Sequence, residues 1–158
     1  MSKRVDYIKV FREKEEWLKK YLALFEKKLK KHPEYILFCQ KEGNWLDDYA
    51  CFKVLSQKYG PVIKNWPERL KAVSSEDKER LYGKYKALIS QQKLIQYLCF
   101  DQMHFVHLFA DHHTVFLMGD MPYMLSRDSV EVWLQPSIFQ LDMNLGTAPG
   151  YTTKKGED

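Results

Sequence analysis

Residues 114–133, TVFLMGDMPYMLSRDSVEVW, contain the clearest strand signal in the chain. Thr114 to Met118 form a continuous apolar run without polar alternation, a pattern typical of a strand covered on both faces in a parallel sheet. Gly119 and Asp120 follow this run, and Pro122 directs the residue before it into an extended conformation. The stretch therefore predicts a buried strand that ends at an aspartate.

The remaining sequence offers no second convincing strand. A buried parallel strand needs a neighbour on each side to satisfy its backbone N–H and C=O groups. We therefore expect the 158 residues to be part of something larger, cut before and after residues 114–118. The expected fold of this piece is mainly α with one strand.

Helical patterns precede the strand. Apolar steps of three, four and seven residues predict an amphipathic helix over 5–31, and Pro33 opens a second helix over 33–41. We expect Gly43 to end that helix and Asn44 to cap the next one, which Gly60-Pro61 stops. Ser74 is the expected cap of a long helix that continues to about Asp111.

Two finer expectations concern the end of the chain and the long helix. Gly83 is a weak point of the helix that starts after Ser74, but we do not expect a break there. Residues 129–139 have helical spacing interrupted at Pro136, and the last 13 residues form a loop rich in Gly, Pro and Thr. We find no internal repeat.

Composition restricts the class of protein. No apolar run approaches the roughly 20 residues that span a bilayer, and the first residues lack a signal-peptide core, so we expect a cytoplasmic protein. The three cysteines, Cys39, Cys51 and Cys99, are expected to be core fillers.

Residues 1–31 carry eleven Lys/Arg and five Asp/Glu. Because these charges interleave, a solvated helix face is favoured over nucleic-acid binding.

Candidate site residues are few. In barrel enzymes, polar residues at strand carboxyl ends point into the active-site mouth, which makes Asp120 a candidate; the alternative is a loop cap. Asp47 and Asp48 diverge by about 100° on a helix, so we interpret them as complements to its dipole. His104 and His107 share a helix face, but no third metal ligand stands at suitable spacing. We therefore expect no metal, and no phosphate-loop or dinucleotide motif is present.

Four segments resemble the amylomaltases, the 4-alpha-glucanotransferases of glycoside hydrolase family 77. WLDDYACFKVLSQKYG (45–60) is similar to the family's WLxDYALFxALKxxFG stretch, and MGDMPYMLSRDSVEVWLQPSIFQLD (118–142) to its GDxPxxVxxDSxDVWxxPxLFxLD segment. GTAPGYTTKKGED (146–158) looks like the GxPPDxFSxxGQxWG loop, with Gly150-Tyr151 in place of Pro-Asp and Glu157 in place of glutamine. YLCFDQMHFVHLFADHH (97–113) resembles the helix carrying FxQW, with a histidine near the tryptophan position.

The resemblance implies a fold and an activity. It implies a (β/α)8 barrel parent with a helical insertion: residues 1–113 would be the inserted helical subdomain, and 114–158 part of the catalytic barrel. Such enzymes pass α-1,4-glucan segments between maltooligosaccharides by a retaining mechanism, without a cofactor. The family's three catalytic acids lie in motifs beyond this sequence, so no catalytic residue is expected within it.

The resemblance also implies roles for individual residues. Asp120, Tyr151 and Glu157 would contact the glucan, whereas Ser129 and Trp133 would brace the rim of the site. Two alternatives stay open at this stage. One is a self-standing helical module that binds a partner or RNA through residues 5–31, and the other is a degenerate homologue that kept a glucan-binding surface.

Overall fold

The computed structural model describes residues 4–122, 124–143, 146 and 149–151. Its α-helices are α1 (Tyr7–Leu29), α2 (Pro33–Lys41), α3 (Gly43–Tyr59), α4 (Glu68–Lys71), α5 (Ser75–Lys84), α6 (Lys86–His112) and α7 (Val130–Leu134). Short 3-10 helices occur at Ile63–Asn65 and Pro136–Ile138. The described part of the chain is therefore mainly α-helical, as expected.

Local capping signals placed several helix ends correctly. The start of α1 has a cap that was not predicted, because the side chain of Asp6 accepts a hydrogen bond from Lys9 N–H. Ser74 and Asp77 form a reciprocal capping box at the start of α5. Gly60 ends α3 with φ of 94°, a left-handed value that glycine adopts without steric cost.

The junction between α2 and α3 differs from the prediction. Gly43 is the first residue of α3 rather than the end of α2, and Asn44 lies inside the helix. Glu42 alone separates the two helices, with φ of −99° and ψ of 6°. Its carboxylate accepts a 2.7 Å hydrogen bond from Trp45 Nε1, a contact that a capping pattern does not reveal.

The long helix expected after Ser74 is divided in two. Tyr85, with φ of −110° and ψ of 19°, separates α5 from α6 two residues after Gly83. The side chain of Tyr85 is buried in the core, and past it Ile89 rather than Leu88 is buried. Because of the break, the side chains of α6 that are buried differ from those on the apolar stripe predicted for an unbroken helix.

The core consists of two clusters around α3 and α6, which make the most extensive helix pairing among the described elements. The larger joins α3 to α5, α7 and the 60–70 connection, and its buried residues are Ala50, Cys51, Phe52, Val54, Leu55, Ile63, Trp66, Leu70, Leu81, Tyr85, Ile89 and Trp133. The smaller joins α1, α2 and α6 through Leu22, Tyr35, Leu94 and Tyr97.

Not every expected core position is buried. Ile8 and Phe11, on the predicted apolar stripe of α1, are exposed. Of the cysteines, Cys51 is buried, but Cys99 is exposed, so the core-filler interpretation is wrong for Cys99. Among the described residues, no helix is long and apolar enough to cross a membrane.

The predicted strand at 114–118 is not formed within the described residues. Thr114 instead closes α6: its N–H donates to the Asp111 carbonyl at 3.0 Å, and Val115 N–H donates to the Ala110 carbonyl at 2.9 Å. This is a Schellman motif with threonine at the left-handed position, φ 57°. After it the chain is exposed, with Phe116 90% and Met118 97% accessible. A strand requires hydrogen-bonding partners on a neighbouring strand, and the described residues supply none.

Candidate functional site

The segment after Pro122 is tied to the helical core through Asp128. Its Oδ1 accepts a hydrogen bond of 2.7 Å from the backbone N–H of Ile63. This bond satisfies a backbone donor of the 3-10 helix at Ile63–Asn65 with a charged acceptor, which is stronger than a neutral one. Asp128 therefore has a structural role in the segment. Its position before the helix cap Ser129 did not predict this role.

Helix α7 is anchored by Ser129 and Trp133. Ser129 Oγ accepts from Val132 N–H at 3.4 Å and caps the helix. Trp133 is 1% exposed, and its Nε1 donates to the Leu70 carbonyl at 2.8 Å. Its ring lies 5.7 Å from that of Phe52 and 6.4 Å from that of Trp66. Both residues hold α7 in place, whereas the expectation that they brace the rim of a sugar site stays a prediction.

An open groove of about 380 Å³ lies beside this anchor. Its lining includes the apolar side chains of Val62, Val132 and Leu141 together with Lys64 and Lys71. Lys71 is engaged by Glu68 at 2.8 Å. The groove thus offers apolar contact area with a basic edge, and the carboxylate of Asp128 in its wall is already used by Ile63.

The three residues predicted to contact substrate have different outcomes. Asp120 lies in the exposed extended segment and makes no hydrogen bond or ion pair with the described residues. A free carboxylate of this kind can accept hydrogen bonds from ligand hydroxyl groups. Tyr151 is fully exposed at 103%. Glu157 lies outside the described residues.

The structure gives no contact that joins Asp120 to Tyr151, so it does not assemble them into one site. Both side chains are open to solvent. A carboxylate can accept hydrogen bonds from the polar groups of a ligand, and an aromatic ring can pack against its apolar face. Their roles therefore remain predictions.

Asp47 and Asp48 are used in ion pairs rather than as helix-dipole complements. Asp47 pairs with Lys93 of α6, whereas Asp48 accepts from Lys78 Nζ at 2.9 Å and from the Tyr82 hydroxyl. They face different partners, as their adjacent positions on a helix predict. Burial and the hydrogen bond to Asp48 raise the pKa of Tyr82 above its ordinary value.

The histidines of α6 show no metal-site geometry. His113 Nδ1 lies 2.8 Å from the Phe109 carbonyl, and His104 and His107 are exposed. Within the part of the chain that the structure describes, no three His, Cys, Asp or Glu side chains are arranged to hold a metal ion.

Comparison with known proteins gives matches along the whole sequence. A family model described as 4-alpha-glucanotransferase matches residues 1–158. The 4-alpha-glucanotransferase of Chlamydia muridarum is 31% identical over 159 residues, covering 98% of this chain. That of Clostridium butyricum is 30% identical over 87% of this chain, and that of Thermus thermophilus 28% identical over 98%.

These relatives are considerably longer than the sequence in hand. The matched region is 29% of the Chlamydia muridarum protein, 28% of the Clostridium butyricum protein and 33% of the Thermus thermophilus protein. The chain therefore spans about 30% of the length of the relatives it matches.

Proposed function

Because this chain belongs to the 4-alpha-glucanotransferase family, glycoside hydrolase family 77, we propose that it is part of an enzyme that transfers α-1,4-glucan segments between maltooligosaccharides. The observation that carries the proposal is the family match over residues 1–158. The relatives named 4-alpha-glucanotransferase, each matched over 81–98% of this chain, support it.

The proposal includes an architecture. Residues 1–113 form the inserted helical subdomain, and 114–158 belong to a (β/α)8 catalytic barrel, with 114–118 as one of its strands. The exposed side chains of Phe116 and Met118 support this placement, because they would be covered by neighbouring strands and helices in a barrel. Thr114 then joins the subdomain to the strand.

Asp120 has the central role in substrate binding under this proposal. It follows the proposed strand, at the edge where barrel active sites are built, and its carboxylate is unoccupied by the described residues. It would accept a hydrogen bond from a sugar hydroxyl, while Tyr151 would stack on a sugar ring and Glu157 would contact further hydroxyls. Aromatic faces and carboxylates are complementary to the two kinds of surface that a glucose unit presents.

The reaction itself needs groups beyond this chain. In a retaining mechanism one carboxylate attacks the anomeric carbon while a second protonates the leaving oxygen, and then the second activates the acceptor hydroxyl. We place these acids outside residues 1–158. Within the chain, Asp128 and Trp133 hold the segment that carries Asp120 against the helical subdomain, which positions the substrate-binding edge.

The test compares two proteins. The complete protein that contains this segment, incubated with maltotriose, is expected to give both shorter and longer maltooligosaccharides on chromatography. The chain of residues 1–158 alone is expected to give neither above a blank. Absence of longer products from the complete protein would contradict glucan transfer, and products from the 158-residue chain would contradict the location of the catalytic acids.

A further inference from the structure

A second cleft, lined by none of the residues discussed for glucan binding, lies at the break between α5 and α6. Its volume is about 200 Å³. Tyr85, the residue at the break, forms its floor together with Leu70 and Leu81, and its wall includes Tyr59. The polar lining consists of Arg69, Asp77, Arg80 and Lys84.

The charges around this cleft do not balance. Arg80 is engaged by Asp77 at 3.5 Å and by Glu76 at 3.8 Å, which uses both nearby carboxylates. Within the described residues, Arg69 and Lys84 have no carboxylate partner. The same holds for Lys58, whose ammonium lies 5.1 Å from the centre of the Tyr85 ring. The lining of the cleft thus carries three cations, Arg69, Arg80 and Lys84, against the one carboxylate of Asp77, and Lys58 adds a further positive charge beside Tyr85.

Polar hydrogens converge on the tyrosine pair. Lys58 Nζ donates to the Tyr85 hydroxyl oxygen at 3.3 Å, and Tyr59 lines the same cleft as Tyr85. Lys84 Nζ lies 5.3 Å from the centre of the Tyr85 ring. The oxygen of Tyr85 therefore occupies a point at which donors and positive charge meet.

The acidity of Tyr85 reflects this field. Burial acts to raise the pKa of its phenol, but the hydrogen bonds from Tyr59 and Lys58 and the charges of Lys58 and Lys84 outweigh it, so the pKa of Tyr85 lies below its ordinary value. Surroundings that favour a phenolate oxygen favour other oxyanions for the same electrostatic reason.

We propose that this cleft binds a phosphate group, as inorganic phosphate or as a small phosphate monoester, held by Arg69 and Lys84 beside Tyr59 and Tyr85, with Lys58 adding positive charge at the Tyr85 hydroxyl. Arginine matches phosphate oxygens with paired N–H donors, lysine adds point charges, and a multiply charged oxyanion is the ligand that satisfies several cations at once. The cleft is far too small for a helical nucleic acid, and its tyrosine faces leave room for the organic part of a monoester. The proposal does not depend on glucan transfer.

The experiment measures binding to the 158-residue chain by calorimetry at low and at moderate salt, with inorganic phosphate and with glucose 6-phosphate; glucose serves as the uncharged probe. The test variant is Arg69→Gln with Lys84→Gln. The control is Lys20→Gln with Lys27→Gln, which removes the same charge from exposed positions of α1. All four side chains are exposed, and circular dichroism checks that each variant keeps its helical signal.

Saturable binding of a phosphate probe, weakened about tenfold in the cleft variant and less than about twofold in the control, supports the proposal. Equal binding of the two phosphate probes would indicate recognition of the phosphate alone, and tighter binding of the monoester would indicate contacts to its organic part. An equal loss in both variants, or no saturable binding by the parent chain, would overturn it.

An optical readout at the site supplements calorimetry. Bound phosphate neutralises the cations that favour the phenolate of Tyr85, so tyrosinate absorbance in an alkaline titration should appear at higher pH when phosphate is present. The change should be absent from Tyr85→Phe. A shift of equal size in Tyr85→Phe would show that it arises from other tyrosines and would count against the site.

Discussion

The indole Nε1 of Trp133 donates a 2.8 Å hydrogen bond to the backbone carbonyl of Leu70, and this bond joins α7 to the end of α4 inside the larger core cluster. A buried carbonyl without a partner carries a desolvation cost, so the indole both fills space and satisfies a polar group. Trp133 is therefore the principal anchor of the segment that follows Asp120.

Replacing Trp133 tests this anchor. Trp133→Phe keeps an aromatic ring but removes the N–H and leaves a space, and we expect the free energy of unfolding to fall by about 2 kcal/mol. Urea unfolding followed by circular dichroism measures the change. Trp17→Phe, the same substitution at a side chain that is 58% exposed, should change stability by less than about 0.5 kcal/mol. Equal effects of the two substitutions would contradict the anchoring role.

Asp128 offers a second test, based on its bond to Ile63. Asp128→Ala removes the acceptor of the Ile63 N–H and should destabilise the chain by about 1–2 kcal/mol. Asp128→Asn retains a side-chain oxygen in the same place, so its effect should be smaller. Thermal unfolding of the two variants distinguishes them, and equal losses in Asn and Ala would show that the charge, rather than the oxygen acceptor, matters.

Thr114 is a position at which substitution should increase stability. Thr114 is β-branched and lies in the left-handed region, which carries a steric cost of about 1–2 kcal/mol. Glycine avoids this steric cost but loses about 0.5–1 kcal/mol through the greater conformational entropy of the unfolded chain. Thr114→Gly should therefore raise the free energy of unfolding by about 0.5–1 kcal/mol. Thr114→Val, which keeps the branched side chain, should bring no gain. A decrease in melting temperature for the glycine variant would argue against the Schellman geometry.

The cysteines should differ in reactivity. Burial, with a further contribution from the charge of Asp48, raises the pKa of the Cys51 thiol to about 12. Since the thiolate is the reactive form, Cys51 should resist iodoacetamide in the folded chain at pH 8, and its reaction should accelerate as the pH rises towards that value. Cys99 is exposed and should be alkylated first. Peptide mass spectrometry gives the order, and urea should abolish the difference.

The proposed role of Asp120 is tested in the complete protein that contains this segment. Asp120→Asn keeps the shape of the side chain and removes its charge, and loss of a hydrogen bond to sugar worth about 1.5–3 kcal/mol should lower kcat/KM by about 10- to 150-fold. The melting temperature should change little, because the side chain makes no contact that supports the fold. Asp111→Asn, at an exposed position near the end of α6, serves as the matched control. Normal activity with a lowered melting temperature would show that Asp120 is a loop cap.

Much of the helical framework could be predicted from the sequence. The starts of α2 and α5 follow from Pro33 and Ser74, because a cap acts on N–H groups within four residues of itself. The end of α3 at Gly60 is local for the same reason. The family was also recognisable from short motifs, of which the segment 118–142 is the most specific.

The candidate site could be predicted only in part. Ser129 and Trp133 were expected to brace the rim of the site, and the structure shows that they hold α7, whereas the partner of Asp128 was not foreseen because Ile63 lies 65 residues away in the chain. Asp120 was predicted from its place after an apolar run. Whether it contacts sugar depends on groups that the described residues do not bring near it.

The sequence by itself therefore determined where the longer helical segments lie, where several of them end and which family the chain belongs to. The tertiary structure decided that Tyr85 breaks the long helix, that a short helix forms at Glu68–Lys71, that Asp47 and Asp48 form ion pairs, and that residues 114–118 form no strand within the described part of the chain. The physical reason is one of range. Caps and turns are satisfied by neighbouring residues, but a buried ring, an ion pair between helices and a strand each depend on partners that come from distant parts of the chain.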